Sequence, residues 1–347
     1  MKKRKDGLYQ KSVTINGKRV YFYSSAPNAR QAEKDFNAQL LAYHEKEEKG
    51  KLFKDVAEEW LDRHEKNIEY QTYYRYKVLM NHATDWFEGK YIKDIKIADM
   101  SAFLESLAEN RYSTKTIKDQ FSVLKMIFKY ARIKRYIETD ETAYVEKPKG
   151  KPKVERRELQ ESEIKIIKQN TDTLMGLFAY FLLYTGMRKS EALALQWKDI
   201  DFKNKTIDVY KSVFYKGNMP YIKKPKTAAG TRKIILTDNL AEKLIKGMPN
   251  AYVFTYDGNL MTLYTYDKHW KEYLEKTGLN FTAHQLRHTF ATMLFEANIS
   301  EKDAQKLMGH ADITTTQNIY THIRETHFKD TAKLFNQYIE NKDVGCK

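Results

Sequence analysis

The chain has 347 residues, enough for two or three domains that each bury a core, and its 41% hydrophobic content argues against wholesale disorder. Lysine and arginine outnumber acids 61 to 46, a formal charge of +15 that suits a polyanionic partner such as nucleic acid, although a merely solvated basic surface explains charge alone equally well. A single cysteine, Cys346, excludes an internal disulfide and a cysteine-rich zinc cage; the longest apolar run, Leu177 to Tyr184, is far short of the roughly 20 residues needed to cross a bilayer; and the basic start Met1-Lys2-Lys3-Arg4-Lys5 lacks the apolar stretch of a signal peptide. A cytoplasmic protein with no membrane partner is the expectation.

In chain order, the first element is a hairpin. Asn16-Gly17 separates Leu8–Ile15 from Lys18–Tyr23, two runs rich in β-branched and aromatic residues. A helix is predicted from about Asn28, because Ala29, Ala32, Phe36, Leu40 and Tyr43 share one face, and Gly50 is its natural stop. Positions 1–23 hold seven basic residues and one acid. They make Lys2, Lys3, Arg4, Lys11, Lys18 and Arg19 candidate DNA contacts; the alternative is a basic extension packed on the next domain.

Residues from about Leu52 to Tyr144 read as helical and nearly free of glycine and proline. Phe53, Val56, Trp60 and Leu61 fit one amphipathic helix, and Ser113 caps another through Ile117, Phe121, Leu124, Phe128 and Ala131. Lys118 and Lys125 lie along that second helix, on either a solvated or a phosphate-contacting face, and periodicity does not decide which. Phe121 and Phe128 read as core. The stretch Glu146 to Arg157, with two prolines, a glycine and alternating lysines, is the best linker in the chain.

Beyond it the pattern mixes helices with a small antiparallel sheet, an α+β arrangement. Leu174–Tyr184 reads as a buried helix and Arg188–Trp197 as a second, entered after Gly186. Thr206–Val213 and Lys233–Leu236 read as strands, Gly217 and Ala228-Ala229-Gly230 as turns, and helices resume at Ala283.

Four segments here hold the polar residues of interest. Arg188 and Glu191 sit three apart after a glycine break; Lys223, Lys224 and Lys226 cluster at a basic hairpin tip; His284, Arg287 and His288 share a helix face; and Met308-Gly309-His310 precedes Tyr320 by ten residues. Each alone is weak. An i,i+3 Arg–Glu pair is usually a surface contact worth a few tenths of a kcal/mol, and Tyr320 is one tyrosine among 25. His284 and His288 have the spacing of two metal ligands, but Gln285 stands where a zinc-protease helix has glutamate.

Together, Thr-Gly-x-Arg-x-x-Glu, a hairpin lysine, His-x-Leu-Arg-His, Leu-x-Gly-His and a late tyrosine resemble, in order and spacing, the tyrosine recombinase family of phage lambda integrase, the conjugative-transposon integrases and the Xer proteins. The resemblance covers at least Arg157 to Tyr338. It implies a multidomain, mainly α-helical protein: an arm-type DNA-binding domain at 1–50, a helical core-binding domain at 51–147, a linker at 148–157, and an α+β catalytic domain with a C-terminal tail at 158–347. By resemblance Arg188, Lys226, His284, Arg287, His310 and Tyr320 are the six active-site positions. Lys226 is preferred over its neighbours because Lys-Thr before a turn is the family's usual form. Glu191 is an orienting residue and His288 a packing one.

The family's chemistry joins a tyrosine oxygen to a DNA 3′-phosphate and frees a 5′-hydroxyl, conserving the phosphodiester energy, so neither a metal ion nor ATP is implied. Guanidinium groups suit the anionic transition state, and preorganised donors of this kind contribute about 3–4 kcal/mol each in other enzymes. A tyrosine of ordinary pKa, about 10, is ionised in only about one molecule in a thousand at pH 7, so the nucleophile needs help worth roughly 4 kcal/mol. His284 is the candidate base, His310 a phosphate donor, and Lys226 the acid for the leaving oxygen. The resemblance further implies double-stranded core and arm DNA sites, a homotetramer that exchanges its tail (Ile323, Phe328, Leu334, Phe335, Ile339), an excisionase or DNA-bending accessory protein, and integration or excision of a bacterial mobile element in the nucleoid. Alternatives are a type IB topoisomerase-like enzyme, a non-catalytic DNA-binding regulator, and, more remotely, a metal nuclease using His284, His288 and His310.

Overall fold

The computed structural model describes residues 3–15, 18–152, 157–225, 228–321, 323 and 336, and the chain divides into two compact units, Met1–Val154 and Glu155–Lys347. Lys2, the Asn16-Gly17 turn, residues 153–156, Lys226, and Phe328, Leu334, Phe335 and Ile339 of the tail lie outside the described residues. The fold is mainly helical, with small antiparallel sheets.

The first unit opens on β1 (Tyr9–Ile15) and β2 (Lys18–Ser24), paired antiparallel with Val13 opposite Val20. Alternation along β2 turns Phe22 inward and leaves Tyr21 and Tyr23 exposed. Phe22 and Tyr9 pack with Ala32 and Phe36 of α1 (Ala29–Lys49), a helix capped by the Asn28 side chain and stopped at Gly50, φ +77°. A second core belongs to α2 (Phe53–Glu65), α3 (Tyr70–Trp86), α4 (Ile97–Glu109) and α5 (Thr114–Ile133). Phe121 and Phe128 are buried in it, and the Ser113 hydroxyl accepts the Thr116 amide at 3.1 Å to start α5. Of the stretch read as linker, Lys151 is tied to the entry of α5 by backbone bonds to Tyr112 and Thr114, and Gly150 fits there because a Cβ would lie 2.4 Å from the Tyr112 carbonyl.

The second unit is built around α7 (Leu174–Thr185), apolar on nearly every side, which packs against α6 (Glu161–Gln169), α10 (Leu263–Thr277) and α11 (Ala283–Glu296). Between them run α8 (Lys189–Ala192), the strands β3 (Ile200–Asp201), β4 (Thr206–Val209), β5 (Ser212–Lys216), β6 (Met219–Lys223) and β7 (Arg232–Ile235), and α9 (Asp238–Ala241). One sheet has the order β3–β4–β7; β5 and β6 form a separate two-stranded ribbon around Gly217. α12 (Glu301–Met308) follows, and residues 313–321 are helical.

Two sequence expectations change here. The helix predicted over Arg188–Trp197 is a single turn: Leu193, Ala194 and Leu195 are buried in succession, which a one-sided helix cannot achieve, and the chain leaves through 3-10 bonds from Ala194 to Glu191 and Leu195 to Ala192. The strand predicted over Thr206–Val213 breaks at Tyr210-Lys211. Both side chains turn to buried Asp199, the Tyr210 hydroxyl donating at 2.7 Å and Lys211 pairing at 2.7 Å, and β5 restarts in a different sheet.

Candidate active site

The last carbonyls of a helix have no donor within the helix, and they carry the negative end of its dipole. At the end of α12 three consecutive carbonyls are each met by a different arginine. Arg232 Nε donates to Leu307 O at 2.9 Å, Arg287 Nη2 to Met308 O, and Arg188 Nη2 to Gly309 O at 3.2 Å. These arginines come from three places: the N-cap of α8, the first residue of β7 and the second turn of α11. Gly309 makes the convergence feasible. It holds φ at +63°, and a Cβ there would lie 2.7 Å from Arg232 Cδ.

Glu191 is the counter-charge. It is buried; Arg188 donates to it through Nη1 at 2.7 Å and its backbone amide at 2.9 Å, and Arg232 through Nη1 at 3.1 Å and Nη2 at 2.8 Å. Burial alone would raise its carboxyl, but the Arg232 hydrogen bonds and the two guanidinium charges hold it down at about 2. Arg287 donates to Gly186 O at 2.6 Å. Burial, then repulsion from Arg188, lowers it to about 9, so it remains protonated at neutral pH.

His310 leaves the same turn half-buried, with Nδ1 2.9 Å from the hydroxyl of buried Thr316. Burial first, then the charges of Arg287, Arg188 and Arg232, lower it to about 4, so the ring is neutral at pH 7. When the Thr316 hydroxyl donates to Nδ1, the ring proton sits on Nε2. This has a consequence for stability. As pH falls from about 6.5 to 4 the unfolded chain binds a proton that folded His310 refuses, so stability declines over that window; protonation of Glu191 adds a further decline below about 4.5. We expect the urea midpoint to fall in those two stages, and His310→Gln to flatten the first. An unaltered slope between pH 6.5 and 4 in that variant would refute the assignment.

Arg188, His284 and Arg287 line a cleft of about 460 Å³, together with Lys189, Tyr266 and Asp267. His284 is exposed on the first turn of α11, and His288 is half-buried one turn later. Tyr320 is buried, its ring edge-on to Phe295 at 5.2 Å and its hydroxyl donating to Ile299 O at 3.3 Å. Lys223 ends β6 with Nζ over the Phe214 ring at 5.6 Å. Of the candidate DNA contacts, Lys3 and Arg4 lie over Tyr9 and Tyr23, Arg19 lies over Tyr21, and Lys18 opens β2. Lys11 pairs with Glu33 of α1 at 2.6 Å, while Lys118 and Lys125 are exposed on α5, Lys125 over Phe121.

Sequence reasoning missed Arg232, Thr316 and Lys189. For Arg232 a signal existed: it alternates with Ile234 and Leu236, so strand periodicity puts a charge on the buried face, where it needs a partner. Thr316 carried none.

Arg188, Arg287 and His284 around one cleft, with His310 on the adjoining turn and Tyr320 on the following helix, suit an anionic phosphoryl substrate. Residues 157–327 match the phage integrase family, and residues 53–147 match the phage integrase central domain. A tyrosine recombinase XerC-like protein of Caldanaerobacter subterraneus subsp. tengcongensis is 32% identical over 273 residues, 68% of this chain and 69% of that protein. The integrase of Staphylococcus phage L54a is 31% identical over 317 residues, 79% of this chain and 89% of the other. Among solved structures, the Tn1549 transposon integrase in complex with a circular intermediate DNA superposes with TM-score 0.64 at 25% identity, covering 77% of this chain and 94% of that one. A lambda integrase tetramer bound to a Holliday junction shares the fold at TM-score 0.57 and 22% identity, covering 90% and 96%. The chain belongs to the phage integrase family. It is a site-specific tyrosine recombinase.

Proposed function

We propose that Tyr320 attacks a DNA phosphodiester: its oxygen bonds to phosphorus as the bond to the 5′-oxygen breaks, and a partner strand's 5′-hydroxyl later reverses the step. Arg188 and Arg287 hold the nonbridging oxygens, and His310, neutral and backed by Thr316, donates from Nε2. His284 takes the tyrosine proton, and Lys226 gives one to the departing 5′-oxygen. Glu191 orients Arg188, and His288 packs. The observation that carries this reading is the convergence of the arginines on one turn beside the cleft. Attack requires the Tyr320 hydroxyl to exchange the Ile299 carbonyl for the phosphate.

The mature assembly in this reading is a homotetramer on double-stranded core sites, with tail exchange between subunits, that integrates or excises a mobile element. Residues 1–50 are an arm-type DNA-binding module, carrying Lys2, Lys3, Arg4, Lys11, Lys18 and Arg19. Residues 51–147 contact core DNA through Lys118 and Lys125, 148–157 link them to the catalytic domain at 158–347, and an excisionase or DNA-bending protein assists. The exposed Tyr21 and Tyr23 beside arginines support the first of these assignments. The integrases solved on DNA, among them a tetramer on a Holliday junction, support the assembly.

The deciding experiment traps the protein on a nicked suicide duplex carrying a recombination site, digests the adduct, and maps the nucleotide-bearing peptide by mass spectrometry. The expected peptide contains Tyr320; attachment at any other residue would overturn the assignment. For Lys226 the expected outcome is a substrate split. Lys226→Ala should lose at least about a hundredfold in cleavage on ordinary DNA but little on a 5′-bridging phosphorothiolate, whose thiolate leaves without a proton. Equal loss on both substrates removes Lys226 as the acid.

A further inference from the structure

Arg232 lies outside the six positions of the active-site reading, yet its side chain is only 5% exposed and its hydrogen bonds point into the site. Both of its terminal nitrogens reach Glu191, and Nε reaches the turn that precedes His310. Three segments of the second unit are thereby joined: the start of β7, the Arg188–Glu191 turn and the end of α12.

We propose that Arg232 is a positioning residue for strand cleavage, which occupies the Glu191 carboxylate so that Arg188 remains available to the scissile phosphate. Arg188 shares Glu191 with a competitor that approaches both oxygens. Its guanidinium therefore gives Glu191 one hydrogen bond, from Nη1, and its side chain stays 42% exposed at the cleft. Without Arg232 the carboxylate is open to the two-pronged pairing that guanidinium and carboxylate prefer, and Arg188 is the cation beside it. The charge count changes in the same direction. Arg188, Arg232 and Arg287 against Glu191 leave the site two positive charges; removing Arg232 leaves one.

This inference rests on reading Arg188 as a phosphate ligand. Its test uses the full chain in single-turnover cleavage of the suicide duplex, with DNA affinity and melting temperature measured in parallel. Arg232→Gln should cut the cleavage rate by about a hundredfold with DNA affinity changed only a few-fold. Adding Glu191→Gln, which removes the competing carboxylate and restores two positive charges, should recover about tenfold or more. A purely architectural arginine predicts the reverse, a double variant no faster than the single one, and that result would overturn the proposal. Should Arg232→Gln not fold, Arg232→Lys replaces it. A lysine presents one point donor and leaves a carboxylate oxygen to Arg188, so a loss of about tenfold, again relieved by Glu191→Gln, is expected. No loss, or a loss without relief, overturns the idea. Arg188→Gln is the control: wild-type cleavage by that variant would sink the underlying site reading, whereas its inactivity beside an unrescued double variant sinks only the role of Arg232.

Discussion

Tyr320→Phe is expected to yield no covalent protein–DNA adduct on a suicide duplex under conditions in which the wild type accumulates one, while binding the same DNA. The variant removes one hydroxyl. The 3.3 Å hydrogen bond to Ile299 O is lost in the folded state, at a cost of about 1 kcal/mol, and the ring keeps its edge-on packing against Phe295. A change so small in structure can abolish cleavage only if the lost oxygen is the one that bonds to phosphorus. Denaturing gel electrophoresis of the trapped complex is the readout. An adduct surviving in the variant would show that the nucleophile lies elsewhere.

Arg287→Gln should combine a large kinetic loss with a measurable loss of stability. The residue is 3% exposed, and its guanidinium donates to two backbone carbonyls, Gly186 O and Met308 O. Glutamine is shorter and neutral, so it leaves at least one of these buried carbonyls unpaired, at a cost of about 1–3 kcal/mol. In cleavage the loss of a preorganised cation is expected to reach about 10²–10³-fold. Single-turnover kinetics at a temperature well below the variant's melting point separates the two effects. Cleavage within a few-fold of wild type would remove Arg287 from the phosphate-binding pair.

How far the fold could be read in advance followed from how local its causes are. The β1–β2 hairpin, α1 and α5 declare themselves through an Asn-Gly turn, a stop glycine, a serine cap and apolar residues at helical spacing, all short-range signals. The ribbon of β5 and β6 did not, because the break at Tyr210 is imposed by Asp199, eleven residues upstream and buried beneath it. The same division holds at the site. Arg188, His284, Arg287, His310 and Tyr320 stand in recognisable sequence patterns, and the structure brings Arg188, Arg287 and His310 to one turn, with His284 at the adjoining cleft. Arg232 and Thr316 matter through partners 41 and six residues away, and their side chains mean nothing until those partners are in place.

The end of α12 also determines what kinds of sequence change this enzyme can absorb. Leu307, Met308 and Gly309 meet the arginines through backbone oxygens, so the number of residues between α12 and His310 sets which oxygen each arginine finds. A one-residue deletion would present each arginine with its neighbour's carbonyl and shift the imidazole with them. The turn is thus constrained in length as well as at Gly309, whose positive φ and close approach to Arg232 leave no room for a side chain.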